Sequence, residues 1–249
     1  MAANDFDASA ALTAASGGED KGAYVQQVFS QIAPRYDLLN HLLSLNIDRA
    51  WRRRAIAALE WRRNPEGVYV DLCAGTLDVG VMLAGEPGFK GRVLGADFAE
   101  PMLRAGVKKA EARPVSPVVS DALRLPVRNN LAAGAIVAFG IRNVVDLDAA
   151  LAEVHRVLAP RARFVILEFT TPPNPIVRSL YHLYFHRVLP TIGGVVSGHP
   201  TAYRYLPASV AHFPGPVALA ERMQSAGFVD VHWRPLTLGI AAIHTGIKR

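Results

Sequence analysis

Apolar positions recur at helical spacing in the first quarter of the chain and at strand spacing beyond about residue 67. In AYVQQVFSQIA they fall every three or four residues. Pro34 then opens a new segment, and IDRAWRRRAIAALEW carries Asp48 where an acid suits a helix N-terminus. Residues 23–62 therefore read as helices. Further on, GVYVDL, GRVLGAD, PVSPVVSD, AAGAIVAFG and ARFVILEFT read as strands, and LDVGVMLAG, AEPMLRAGVKKAEA and DLDAALAEVHRVLAP as helices. Two inserted helices, at 174–188 and 201–210, precede the helix PVALAERMQSAG and two last strands, FVDVHWR and LGIAAIHTGIK.

Parallel neighbours need long crossovers, so strands alternating with helices predict an α/β fold with a Rossmann-like, doubly wound, mostly parallel seven-stranded sheet. Only a few residues separate the last two strands, too few for a helical crossover, so they must form a closing antiparallel hairpin. Such a hairpin suits the methyltransferases that use S-adenosylmethionine better than nicotinamide dehydrogenases, which keep a further parallel strand. The expected organisation is a single domain over 23–249. It comprises N-terminal helices (23–66), a cofactor-binding core (67–170), a helical insertion for substrate or membrane (171–212), and a closing helix and hairpin (213–249). Residues 1–22 lack a basic start and a long apolar run, carry four acids and no arginine, and read as a disordered tail rather than a targeting peptide.

Composition narrows the class. Hydrophobic residues make up 51% of the chain and charged ones 19%, which excludes disorder for most of its length. A lone cysteine, Cys73, excludes an intramolecular disulfide and fits a reducing cytoplasm. No apolar run approaches the ~18–20 residues of a membrane span. The net charge of +6 is concentrated at Arg49, Arg52, Arg53, Arg54, Arg62 and Arg63, interleaved with Trp51 and Trp61. That cluster suits nucleic acid, a membrane headgroup zone, or simply a solvated helix face.

Ligands of open α/β sheets sit outside the carboxyl ends of the strands. Those ends carry Asp71, Asp97, Asp121 and the pair Phe139-Gly140. Each aspartate alone is ordinarily a turn or cap residue; three at successive strand ends point to a site. Asp97 lies 26 residues after Asp71, where a carboxylate can take both ribose hydroxyls of an adenosine. Asp121, followed by Ala122, can accept from the adenine amino group. In VYVDLCAGTLDVG, Asp71, Gly75 and Thr76 form the first loop, with the Thr76 hydroxyl or amide available to the amino-acid part of a cofactor. A sulfonium cofactor has no phosphate, so the dinucleotide glycines are not required.

The stretches VFSQIAPRYDLLNHLLSLNIDRAWRRR, DLCAGTLD, GADFAEPML, FGIRNVVDLDAALAEVHRVLAP, ILEF and SGHPTAYRYLPASV…FPGPVALAERMQSAGF resemble the ubiquinone/menaquinone biosynthesis C-methyltransferases, in the order of that family and over nearly the whole chain from about residue 24. The resemblance implies methylation of a ring carbon of a polyprenyl quinol by S-adenosyl-L-methionine, with Thr76, Asp97, Asp121 and Ala122 holding the cofactor. The expected substrate is demethylmenaquinol or, in its place, a methoxy-polyprenyl-benzoquinol. The alternatives are another aromatic metabolite, or a non-catalytic relative binding prenyl lipid or protein partners. The chain departs from the family's pattern at Ala74 and Leu77, where glycine is usual, and at Ala138, where serine is. It departs again at Pro160-Arg161-Ala162, usually Pro-Gly-Gly, and at His199, often an acid. Leu77 is expected to crowd the cofactor and weaken its binding.

Methyl transfer from sulfonium to carbon is an in-line displacement that releases a neutral thioether, so no general acid is needed. The quinol must instead become electron-rich by losing or polarising a phenolic proton. Arg142 and Asn143 are the expected catalytic pair. The resemblance implies that the arginine acts through a water on the quinol hydroxyl; otherwise Arg142 pairs with Asp146 as a structural residue. Tyr36, Tyr203 and Tyr205 either line the ring pocket or pack the helices. His182 and His186 have metal-ligand spacing without a third ligand, and no metal is expected. Cys73 reads as a small buried residue. The expected partners are the prenylated quinol and an anionic membrane surface touched through 49–63 and 174–210, with no nucleic acid and with a homodimer allowed. The expected location is cytoplasmic, at the inner face of the membrane.

Overall fold

A computed structural model describes residues 8–15, 17, 21–33, 36–37, 44, 46–184, 187 and 202–249. The readings made on Pro34, His186 and His199 lie outside these residues, as does the Tyr203 side chain. The strands are β1 (Val68–Leu72), β2 (Arg92–Asp97), β3 (Val115–Val119), β4 (Ala132–Ala138), β5 (Leu158–Phe169), β6 (Phe228–Leu236) and β7 (Ala241–Lys248). The described helices are α1 (Ala8–Ala15), α2 (Lys21–Ile32), α3 (Ile47–Ala58), α4 (Asp78–Ala84), α5 (Glu100–Ala110), α6 (Leu147–Val157), α7 (Pro175–Leu183), α8 (Ala202–His212) and α9 (Pro216–Ser225).

The strands form one sheet in the order β3-β2-β1-β4-β5-β7-β6. All pairs from β3 to β5 are parallel, while β7 runs antiparallel to both β5 and β6. The short connection from Leu236 to Ala241, a 3-10 turn at Thr237–Gly239, leaves no room for a crossover. The α/β sheet with its closing hairpin is thus as the sequence pattern predicts.

Side chains alternate across the sheet. Tyr69, Ile136, Val165 and Ile243 face a core completed by Trp51 and Ile56 of α3, Leu83 of α4 and Leu103 of α5. Val70, Leu72, Val137 and Ile166 face the other, completed by Leu151 and Val154 of α6 and Leu219 and Met223 of α9. Burial on both faces explains why the central strands read as continuous apolar runs.

Three sequence expectations change. Residues 8–15, expected within a disordered tail, form α1, whose Ala11, Ala14 and Ala15 are buried against Tyr24, Val25 and Val28 of α2 and Tyr205 of α8. Alanine is the best helix former, and three small apolar side chains suffice once neighbouring helices supply the other wall.

The tryptophans of the basic stretch are core residues. Trp51 is 4% exposed and its indole donates to Thr237 Oγ1 at 2.9 Å, while Trp61 is 2% exposed beneath the Arg62 guanidinium, 4.4 Å from its ring. Arg52 is buried and paired with Asp48. The spacing of Trp51, Ala55 and Leu59 is helical, and that stripe faces the sheet, so the stretch offers no exposed aromatic platform to nucleic acid or lipid.

The helix expected to run to Pro160 stops at Val157, and Leu158 begins β5. A proline disfavours helical geometry in the residue before it, and the register jumps there, from Ala132↔Leu158 to Gly134↔Arg163. Inside this irregularity exposed Arg161 adopts φ +66°. A left-handed conformation costs a non-glycine residue about 1–2 kcal/mol. Arg161→Gly should therefore raise the melting temperature by about 2–4 °C in a chain of this size. An unchanged or lower value would show that the arginine is not strained.

Candidate active site

On the carboxyl side of the sheet, at the switch between β1 and β4, lies a cavity of about 810 Å³ counted out to its open mouth. The loops after β1, β2, β3 and β4 form its floor and one wall through Cys73 and Gly75, Asp97 and Phe98, Asp121 and Ala122, and Phe139, Gly140 and Asn143. Val25 and Phe29 of α2, with Tyr36, complete the lining. The β1 and β4 loops touch so closely that a Cβ on Gly140 would lie 2.3 Å from Cys73 Cβ. Cys73 (φ +52°) and Phe139 (φ +63°) are both left-handed at this crossing, the kind of strain that persists where surrounding structure fixes it.

Asp97 organises the floor. Its Oδ2 accepts from the Gly75 amide at 2.8 Å and its Oδ1 from the Ala99 amide at 2.8 Å. Burial pushes this carboxyl up from its ordinary range, opposed by those amides. A carboxylate has about four lone-pair sites, so Asp97 can still accept from ribose hydroxyls. Asp121 Oδ1 accepts from the Leu123 amide at 2.9 Å in a local turn, which presents Asp121 and Ala122 to the cavity. The apolar walls at Phe98, Met102 and Ala122 fit an adenine ring, and the absence of a Cβ at Gly75 leaves backbone accessible. These features suit S-adenosylmethionine.

Two residues assigned to the cofactor from the sequence do not line the cavity. Asp71 is 1% exposed and accepts from the Gly80 amide at 2.9 Å, anchoring the first turn of α4 beneath the loop. Thr76 is buried, and its hydroxyl donates to Asp37 Oδ1 at 2.5 Å. Leu77 also faces away. Its side chain is fully buried, and a Cβ on Gly95 would lie 2.4 Å from Leu77 Cδ2. The expected crowding of the cofactor by Leu77 is therefore replaced by a leucine–glycine fit between the loop and β2. The left-handed backbone at residue 77, φ +66°, is what a glycine there would otherwise accommodate.

The polar end of the cavity is built around Asn143, whose Oδ1 accepts from Tyr205 Oη at 3.2 Å. Behind it Arg142 is buried. Its guanidinium donates to Glu168 at 2.8 Å, to Ser209 Oγ at 3.2 Å and to the Phe139 carbonyl, so its carboxylate partner is Glu168 rather than the expected Asp146. Lys21 Nζ donates to the Arg142 carbonyl at 3.0 Å. Burial and then the neighbouring Arg142 lower the Lys21 pKa, whereas burial raises Glu168 against the pull of Arg142. Half-buried Cys73 lines the cavity, and burial, then the Asp97 carboxylate, pushes its thiol well up, which disfavours the thiolate. Of the three tyrosines, Tyr36 lines the cavity, Tyr205 touches it through Asn143, and Tyr203 lies in α8. Sequence reasoning missed Lys21, Asp37 and Glu168. Asp37 and Glu168 lay inside the quoted APRYDLLN and ILEF segments, but nothing in their spacing marked them; Lys21 lay in the presumed tail.

The hairpin-closed sheet and this strand-end cavity define a methyltransferase that uses S-adenosylmethionine. The chain belongs to the ubiE/COQ5 methyltransferase family, whose model matches residues 17–248. It is 50% identical over 223 residues to the demethylmenaquinone methyltransferase of Thermus thermophilus, covering 88% of this chain and 99% of that protein. It is 41% identical to the ubiquinone/menaquinone biosynthesis C-methyltransferase UbiE of Geobacter sulfurreducens, over 92% of this chain and 90% of that one. Among solved structures, a SAM-dependent methyltransferase of Thermotoga maritima shares the fold with a TM-score of 0.63 at 17% identity, covering 90% of this chain and 99% of that chain.

Burial raises Asp71 from 3.8 to about 7. The folded state then binds this proton more tightly than the unfolded chain, so the stability tied to it is full below about pH 4 and lost as pH rises through 7. Asn at this position keeps an acceptor for the Gly80 amide and cannot ionise. Between pH 4 and 8 the stability of Asp71→Asn should improve relative to the parent by on the order of a few kcal/mol. Asp97 and Glu168 titrate in both proteins and cancel. Parallel pH–stability curves would contradict the assignment.

Proposed function

We propose that this protein transfers the methyl group of S-adenosylmethionine to a ring carbon of demethylmenaquinol, with a methoxy-polyprenyl-benzoquinol as second substrate. The observation that carries the reading is the pairing of a strand-end cavity lined by Asp97, Asp121 and Ala122 with a polar end at Asn143 backed by Arg142. The identity to a demethylmenaquinone methyltransferase over nearly its whole length supports the choice of ring.

In this reading Asp97 takes the ribose hydroxyls, Asp121 and Ala122 the adenine, and Gly75 offers backbone to the amino-acid part. When bound, the cofactor supplies an electrophilic methyl group and a neutral leaving thioether. Asn143, its oxygen occupied by Tyr205, presents its amide N–H₂ to a quinol oxygen. Arg142, paired with Glu168 behind Asn143, places a guanidinium at this end of the cavity and so favours the phenolate over the neutral hydroxyl, while Lys21 holds the Arg142 carbonyl. Arg142 does not itself take the proton, because a guanidinium does not deprotonate; it favours release of the proton to water. Tyr36 closes the ring side.

A polyprenyl quinol resides in lipid, and α7 is suited to meet it there. Ile176, Leu180 and Leu183 recur at i, i+4 and i+7 and are 73%, 63% and 57% exposed. No acid occurs between Glu168 and Glu221, a stretch that holds Arg178, Arg187 and Arg204. An amphipathic face in an acid-free, basic surrounding fits an anionic headgroup layer. In place of 49–63, α7 is the contact element, and the protein works at the inner face of the membrane.

Methyl transfer to demethylmenaquinol should be measured in anionic and in zwitterionic vesicles, and to a short-chain quinol in solution. The expected result is menaquinol production that is faster on anionic vesicles. A Leu180→Asp substitution should slow the vesicle reaction about tenfold and spare the soluble one. No methylation of any quinol would refute the function; rates indifferent to lipid charge and to Leu180 would refute the membrane contact.

A further inference from the structure

We infer that Asp37 is a positioning residue of the cofactor site, joining the segment that carries Tyr36 to the loop that carries Gly75 and Thr76. The inference rests on the cofactor reading of the cavity given above. Asp37 Oδ1 accepts from Thr76 Oγ1 at 2.5 Å, and Oδ2 accepts from Lys109 Nζ at 2.6 Å. The same ammonium donates to Asp78 Oδ1 at 2.6 Å. One carboxylate thus links the N-terminal segment, the first cofactor loop and, through Lys109, α5 and the start of α4.

The neighbours of these groups are what make the link functional. Tyr36, immediately before Asp37, and Gly75, immediately before Thr76, both line the cavity. Tyr36 packs edge-on against Phe29 at 5.9 Å between ring centres, and both rest on Ala33, Ala99 and Met102. Gly75 is held from below by Asp97. The bonds of Asp37 therefore tie the position of Tyr36 to that of the Gly75 loop. A threonine hydroxyl has one proton to give, and here it goes to Asp37, which assigns to Thr76 an indirect part in the site.

The Asp37 side chain is 36% exposed and Lys109 31%. Ion pairs this close to water contribute little to folding. Removing the link should therefore disturb ligand affinity more than stability, opposite to what a purely structural bridge would do.

Calorimetric titration with S-adenosylhomocysteine, paired with the melting temperature of the ligand-free protein, separates the two roles. Asp37→Ala should weaken binding about tenfold or more, with a melting temperature within about 3 °C of the parent. Asp37→Asn keeps an acceptor for Thr76 but loses the ion pair and should fall between. Thr76→Val combined with Asp37→Ala should bind no more weakly than Asp37→Ala alone, since both remove the same bond. Parental affinity in Asp37→Ala overturns the inference, as does a loss that follows the melting temperature across the series. If Asp37→Ala does not fold, parental affinity in Asp37→Asn overturns it equally. Failure of the parent protein to bind S-adenosylhomocysteine would instead remove the cofactor reading beneath it.

Discussion

The site depends on one buried carboxylate. Asp97, at the end of β2, spends one oxygen on the Gly75 amide of the neighbouring loop and the other on the Ala99 amide that leads into α5. It thereby fixes the β1 loop relative to the β2 end, and the remaining wall follows from close packing. Gly140 lies against Cys73, and Leu77 fills the space above Gly95. The ionised form is disfavoured by burial yet held by two amides, so a ligand that adds hydroxyl donors would complete its solvation. A preorganised acceptor of this kind suits a ribose better than a phosphate.

Around that floor the helices supply chemistry that the sheet cannot. α2 and α8 pack together through Tyr24 and Tyr205, whose ring centres lie 5.6 Å apart, and both reach the turn after β4. From α2 comes Lys21, on the Arg142 carbonyl; from α8 come Ser209 and Tyr205, on Arg142 and Asn143. Glu168 at the end of β5 completes the set. Breaking one partner of such a buried pair leaves the other uncompensated, at a cost of about 3–5 kcal/mol. Arg142 therefore joins structure to chemistry: it holds the left-handed Phe139 turn through the Phe139 carbonyl and places positive charge behind Asn143.

How much of this was legible in the sequence follows from what each signal encodes. Strands and hairpin are written in local period and loop length, and the structure reproduces them. Asp97, Asp121 and Ala122 line one cavity because topology alone brings strand ends together. Direction was not legible. Trp51 and Trp61 lie in a run of arginines, and only the sheet beside them decides that the rings point inward. Leu77 sits in a loop whose usual glycine faces a ligand, yet the space opened by Gly95, distant in sequence, draws its side chain into the core. Thr76, Asp71 and Arg142 were recognised as polar residues near the site, but their partners Asp37, Gly80 and Glu168 are fixed by tertiary contacts that no spacing rule predicts. Alanine-rich α1 was missed because its small side chains give no amphipathic signal until α2 and α8 stand beside it.

The most direct test of this account is a calorimetric comparison of S-adenosylhomocysteine binding by the parent protein and by Asp97→Asn. An amide at this position must turn its N–H₂ toward one of the two backbone amides, which disrupts the floor while removing the charge that receives the ribose. The account predicts one site per chain in the parent and a loss of about a hundredfold or more in the variant. Undetectable binding by the parent, or equal affinity in both proteins, would contradict it.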